Sequence, residues 1–83
     1  MKLEKRTILI TGGTSGIGLE LAKQLLHRGN TVIVTGRDQE KLDIANRALP
    51  GVHTFKSDVS DPGEIAALHD RLLAQFPELD TLI

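Results

Sequence analysis

The sequence predicts an α/β fold: an open, doubly wound parallel sheet, partial in extent, assembled as β-α-β-α-β-α-β with strand order 3-2-1-4. Three observations predict it. The short β-branched apolar runs TILIT and TVIVTG read as strands covered on both faces. Between the strand-like runs lie amphipathic stretches whose apolar positions recur three and four residues apart, which is helical spacing. Strands separated by helices pair in parallel, because parallel neighbours cannot be joined by a tight turn, and right-handed crossovers then wind the sheet in both directions. In this order the first two helices lie on one face and the third on the other. The crevice between strands 1 and 4 becomes the topological switch point, where ligands bind at the carboxyl ends of the strands.

Each element follows from local chemistry. Thr7 to Thr11 form the first strand, and from Gly18 a stripe of Leu21, Ala22, Leu25 and Leu26 makes the apolar face of a helix. Glu20, Lys23, Gln24, His27 and Arg28 fall on its other face, and Gly29–Asn30 stops it. Thr31 to Gly36 repeat the buried-strand signature. Asp38 caps a second helix with the stripe Leu42, Ala45 and Leu49, ended by Pro50–Gly51. Val52 to Val59 read as a third strand running into a loop. Asp61 is the expected N-cap of the third helix, with Pro62 at its first position and Glu64 completing a capping box. Ile65, Leu68, Leu72 and Phe76 line one face up to Pro77, and a fourth strand begins at Leu79.

Bulk composition narrows the function classes. A chain of 83 residues makes one small domain at most. Apolar residues are 40% of it but aromatics only 2%, so its core is aliphatic. A net charge of −1 with both signs interspersed argues against a nucleic-acid or anionic-membrane surface. With no cysteine there is neither a disulfide framework nor a thiolate metal site, which fits a reducing cytosol and a cytoplasmic location. The opening MKLEKRTILIT has too short an apolar run for a signal peptide or a membrane span. His27, His53 and His69 have no spacing suited to a shared metal, so surface or packing roles are expected and no metal site.

The stretch TGGTSGIG, joining the first strand to the first helix, carries the chemistry. A helix start leaves backbone N–H groups unpaired beside the positive end of the helix dipole, and phosphate oxygens bind there if side chains leave the approach clear. Gly12, Gly16 and Gly18 supply that clearance, and Gly18 lets the helix pack closely on the sheet. The alternative use of the same glycines is a tight turn with no ligand. A phosphate-binding loop of the ATPase type needs Lys and then Ser or Thr after its last glycine, whereas Leu19 and Glu20 follow Gly18. The spacing is G-x-x-x-G-x-G, not the common G-x-G-x-x-G.

TGGTSGIG, from Thr11 to Gly18, resembles the TGxxxGIG motif of the short-chain dehydrogenase/reductases, NAD(P)(H)-dependent oxidoreductases built on a Rossmann-type sheet. VIVTGR (Val32 to Arg37) is similar to their second strand, SDVSD (Ser57 to Asp61) to the Asp-Val pair that meets adenine, and LDTLI (Leu79 to Ile83) to their fourth strand. Within the family the chain most resembles the DltE-like bacterial oxidoreductases. The resemblance implies that the Ile17 N–H contacts the pyrophosphate and that Thr14 and Ser15 lie by the adenosine ribose or its phosphate. It also implies that Asp58 accepts from the adenine amino group while Val59 packs on the ring.

In many dinucleotide folds a carboxylate ending the second strand takes the ribose hydroxyls, and an Arg nearby accommodates a 2′-phosphate. Here Gly36 stands at the carboxylate position and Arg37 follows, which points to NADP(H), with NAD(H) as the alternative. Asp38 could bind a ribose hydroxyl, but capping is its simpler role.

The family's Tyr-x-x-x-Lys pair is not in this sequence, which has no tyrosine. The expectation is therefore an amino-terminal, cofactor-binding half (residues 1–83) with no catalytic residues of its own, inactive alone. A small carbonyl or alcohol substrate would be met only in a full-length form. A non-catalytic dinucleotide-binding or sensing module is the alternative. Lys2, Glu4, Lys5 and Arg6 read as a solvated lead-in. A bare fourth strand at the sheet edge predicts self-association.

Overall fold

TILIT has no side chain that needs full hydration, and the sheet is built around it. In the computed structural model, which describes residues 5–12, 16–58 and 60–82, β1 (Thr7–Thr11) is buried from Thr7 to Ile10. It pairs with β2 (Thr31–Gly36) on one side and β4 (Leu79–Leu82) on the other, and β3 (His53–Lys56) lies outside β2. Every pairing is parallel and the order is β3-β2-β1-β4, as the sequence predicts. The β1–β2 register runs unbroken from Thr7 opposite Thr31 to Thr11 opposite Thr35. The β1–β4 register slips between Thr7 and Ile8.

Three helices complete the layers: α1 (Gly16–His27), α2 (Gln39–Ala48) and α3 (Pro62–Gln75). Because successive strand side chains point to opposite faces, β1 and β2 serve two cores at once. Ile8, Ile10, Val32 and Val34 meet Ala22 and Leu25 of α1 and Leu42 of α2 on one face. Leu9, Ile33 and Phe55 meet Leu68 and Leu72 of α3 and Phe76 on the other. Two helices on one face and one on the other is the doubly wound arrangement. The aromatics cluster with α3: the His53 and Phe55 rings meet Phe76 edge-on at centroid distances of 4.9 and 6.2 Å. His53, expected at the surface or in packing, is exposed and sets its ring against Phe76.

Several local expectations need correction. The helix α1 begins at Gly16, two residues earlier than its apolar stripe suggests, so Gly16 and Ile17 form its first turn. Leu21 and Leu26 are only half-buried and pack on the edge of the core. The capping box of α3 is not formed. The Asp61 carboxylate accepts the Gly63 N–H at 2.9 Å, and the Asp61 N–H donates to the Asp58 carbonyl at 3.1 Å rather than back to Glu64. Ile65 is 46% exposed, so the buried face of α3 is Leu68 and Leu72 rather than the whole stripe. Arg6 is no mere lead-in. Its carbonyl accepts the Thr31 N–H at 2.8 Å, and its guanidinium reaches Asp80 at 3.5 Å, tying β1 to both neighbours.

Candidate functional site

The carboxyl ends of β1, β2 and β3 converge on one cleft. Gly12 leaves β1 with φ +69°, a left-handed conformation that disfavours any side chain, and its N–H donates to the Thr35 carbonyl at 3.0 Å. Gly16 opens α1 at φ +58°. A Cβ at either glycine would meet no atom of the described residues within 4 Å, so packing against them is not what selects glycine there. The backbone turn requires it. Ile17 follows in the first turn with its side chain 89% exposed, and Gly18 is half-buried. First-turn N–H groups have no partner within the helix, so this end of α1 presents donors and a positive dipole end. Thr14, Ser15 and Val59 lie outside the described residues.

A cavity of about 420 Å³ opens beside Gly12, between the ends of β2 and β3. Gly36, Arg37, Asp38 and Lys41 line one side, Ser57, Asp58 and Ser60 the other, with Thr35 in the wall. Arg37 and Asp58, assigned from separate stretches of sequence, therefore share one cleft. The Asp38 carboxylate caps α2 by accepting the Glu40 N–H at 3.0 Å. One Asp58 oxygen accepts the Ser60 N–H at 2.9 Å and the Ser60 hydroxyl at 2.6 Å. These two bonds, with a smaller pull from the Arg37 charge, hold the Asp58 carboxyl below its usual value against a minor opposing effect of burial.

Two hydroxyls at this cleft have no hydrogen-bond partner among the described residues although they are buried. They are Thr35 Oγ1 and Ser57 Oγ, in residues only 1% and 4% exposed. Buried polar atoms in folded proteins are nearly always paired, so an orphaned pair beside an open cavity suits a polar guest. A glycine turn, a helix start, two cations and orphaned hydroxyls together fit a phosphate-bearing nucleotide.

Sequence reasoning missed Lys41, Thr35, Ser57 and Ser60. Folding brings the hydroxyls to the cleft, and no motif marks them. Lys41 had a signal: a lysine in the first turn of a helix, where acidic residues are favoured.

A model of the short chain dehydrogenase family matches residues 6–83. The chain belongs to the short-chain dehydrogenase family. Among curated proteins it is 47% identical over 83 residues to the uncharacterized oxidoreductase DltE of Bacillus subtilis, covering 100% of this chain and 33% of that protein. A solved structure described as a short chain dehydrogenase/reductase family protein superposes with TM-score 0.83 at 40% identity, over 99% of this chain and 34% of the other. A short chain dehydrogenase from Bacillus anthracis superposes with TM-score 0.87 at 30% identity, over 98% and 34%. This short-chain dehydrogenase chain thus spans about a third of the length of the relatives it matches. Membership implies a nicotinamide dinucleotide as the family's cofactor. Among the described residues, no helix is long and apolar enough to cross a membrane.

Proposed function

We propose that residues 1–83 are the cofactor-binding half of an NADP(H)-dependent short-chain oxidoreductase. One observation carries this reading. The cleft beside the glycine turn has no carboxylate at the end of β2, where Gly36 stands, and has the Arg37 guanidinium next to it. Arg37 forks onto the 2′-phosphate oxygens, while the first-turn amides of Gly16, Ile17 and Gly18, reached past Gly12, take the pyrophosphate. Thr14 and Ser15 stand by the adenosine ribose or its phosphate, Asp58 accepts from the adenine amino group, and Val59 covers the ring. Once bound, the nicotinamide supplies the hydride exchanged with a carbonyl or alcohol carbon.

The work of this segment is to bind and orient. It has no tyrosine to move a proton to or from a substrate oxygen, so the segment alone is inactive in this reading. Substrate is met by the full-length protein, in the cytoplasm. The isolated segment associates with itself through the β4 edge.

Titration of the full-length polypeptide with both dinucleotides tests the assignment. NADP(H) binds the tighter, and Arg37→Ala removes most of that preference while leaving NAD(H) affinity nearly unchanged. Tighter binding of NAD(H) by the unaltered protein would overturn it.

A further inference from the structure

The NADP(H) reading uses one of the two cations in the cleft. Among the described residues, four charged side chains line it: Arg37, Lys41, Asp38 and Asp58. Both carboxylates are occupied within their own turns, Asp38 by the Glu40 N–H at 3.0 Å and Asp58 by the Ser60 N–H and hydroxyl at 2.9 and 2.6 Å. Neither cation is so occupied. Among the described residues Arg37 and Lys41 make no hydrogen bond and no ion pair. The charged groups left with bonds to offer a guest are therefore the two cations, in a cleft also lined by Thr35 and Ser57, whose buried hydroxyls have no partner among the described residues.

The placement of Lys41 is not explained by the helix that carries it. With Asp38 as N-cap of α2, Lys41 is the third residue of the first turn. A cation there opposes the helix dipole, whereas Glu40 beside it complements the dipole. A bound anion reverses the sign, making the lysine favourable where it would otherwise cost stability. A phosphate monoester carries a charge of about −1.5 to −2 at neutral pH. One guanidinium leaves that charge partly unmatched beside two carboxylates, and a second cation completes it.

We propose that Lys41 is a specificity-determining residue of this cleft, closing with Arg37 on the 2′-phosphate of the bound dinucleotide. The proposal rests on the NADP(H) reading above. Arg37 supplies a planar fork that fixes orientation, and Lys41 a mobile point charge with three donors.

Binding of NADP+ and of NAD+ to the full-length polypeptide, unaltered and as Lys41→Gln and Lys41→Arg, separates the possibilities, since the two ligands differ only in the phosphate. Lys41→Gln weakens NADP+ about three- to thirtyfold, the range between an exposed ion pair and a charge-assisted hydrogen bond. It leaves NAD+ within about twofold, and Lys41→Arg restores most of the loss. The salt dependence of NADP+ binding becomes shallower in Lys41→Gln. Competition by 2′-AMP, weakened in the same variant, reads the phosphate subsite without the nicotinamide. An equal loss for both dinucleotides, or no loss for NADP+ in a protein that still prefers it, would overturn the role of Lys41. Preference for NAD+ by the unaltered protein would instead overturn the reading beneath it.

Discussion

Ser60 holds Asp58 with two donors, its amide and its hydroxyl, and both bonds favour the ionised carboxylate. A folded-state pKa below the unfolded value contributes stability that is present above the unfolded pKa and lost as pH falls through the folded one. Asp58 faces solvent, so the contribution is small, but the titration itself is measurable. Ser60→Ala deletes the 2.6 Å hydroxyl bond, the largest cause of the shift, and leaves the amide bond, so the carboxyl titrates at higher pH, nearer an ordinary aspartate. Ser60→Thr keeps the low value. Carbon-detected NMR titration of the Asp58 carboxyl checks this, and identical curves for all three proteins would refute it. At this scale the sequence was readable where chemistry is local. Gly12 and Gly16 declare a turn through their missing side chains, and both have positive φ, while Arg37, singled out by the neutral Gly36 before it, lines the cleft. Thr35, Ser57 and Ser60 could not be read, because their importance comes from which strand ends adjoin after folding. Lys41 could have been, had its opposition to the helix dipole been weighed.

The elements are held at their ends as much as along their faces. Gly29, at φ +87°, closes α1: its N–H donates to the Leu26 carbonyl at 3.0 Å, and the Asn30 N–H to the Leu25 carbonyl at 3.2 Å. Buried Asn30 then joins that helix end to the sheet. Its side-chain amide donates to the Leu25 carbonyl at 2.9 Å, and its side-chain oxygen accepts the Arg6 N–H at 3.2 Å, just ahead of β1. Asn30→Ala removes both side-chain hydrogen bonds, although the Leu25 carbonyl keeps the main-chain N–H of residue 30, and costs about 1–3 kcal/mol, read as a lower denaturant midpoint at unchanged slope. A change within about 0.3 kcal/mol would show that water replaces the side chain. The Gly-Asn stop was legible because a left-handed residue ends a helix by itself. The alternation of Ile8, Leu9 and Ile10 between two cores follows equally from strand geometry. The capping box at Asp61 was not legible, because its fate depends on the Asp58 carbonyl, which the preceding loop carries to the Asp61 N–H. Ile65 fits the stripe of α3 in sequence, yet a stripe does not say which of its residues the fold covers.

Across the whole molecule the two faces of the sheet are unequally covered. Helices α1 and α2 enclose one core, whereas among the described residues α3 alone serves the other and leaves a groove of about 490 Å³ beside it, floored by Leu9 and Leu79. Ile65 and Leu73 on its α3 side are 46% and 47% exposed. Strand β4 borders the same groove and, among the described residues, pairs only with β1. An unpaired strand edge next to apolar surface favours pairing with another chain. A chain of 83 residues has a total stability of only about 4–12 kcal/mol, so a self-contact that covers this groove is a large addition. The 83-residue segment prepared alone is therefore expected to sediment as a concentration-dependent mixture. The double substitution Ile65→Lys, Leu73→Glu sets charges over the groove without touching the buried stripe of Leu68 and Leu72, and shifts that mixture toward monomer with helix content preserved. If the unaltered segment instead runs as a single sharp monomer at every concentration and melts cooperatively, the groove and the edge are not adhesive, and α3 closes its face of the sheet sufficiently by itself.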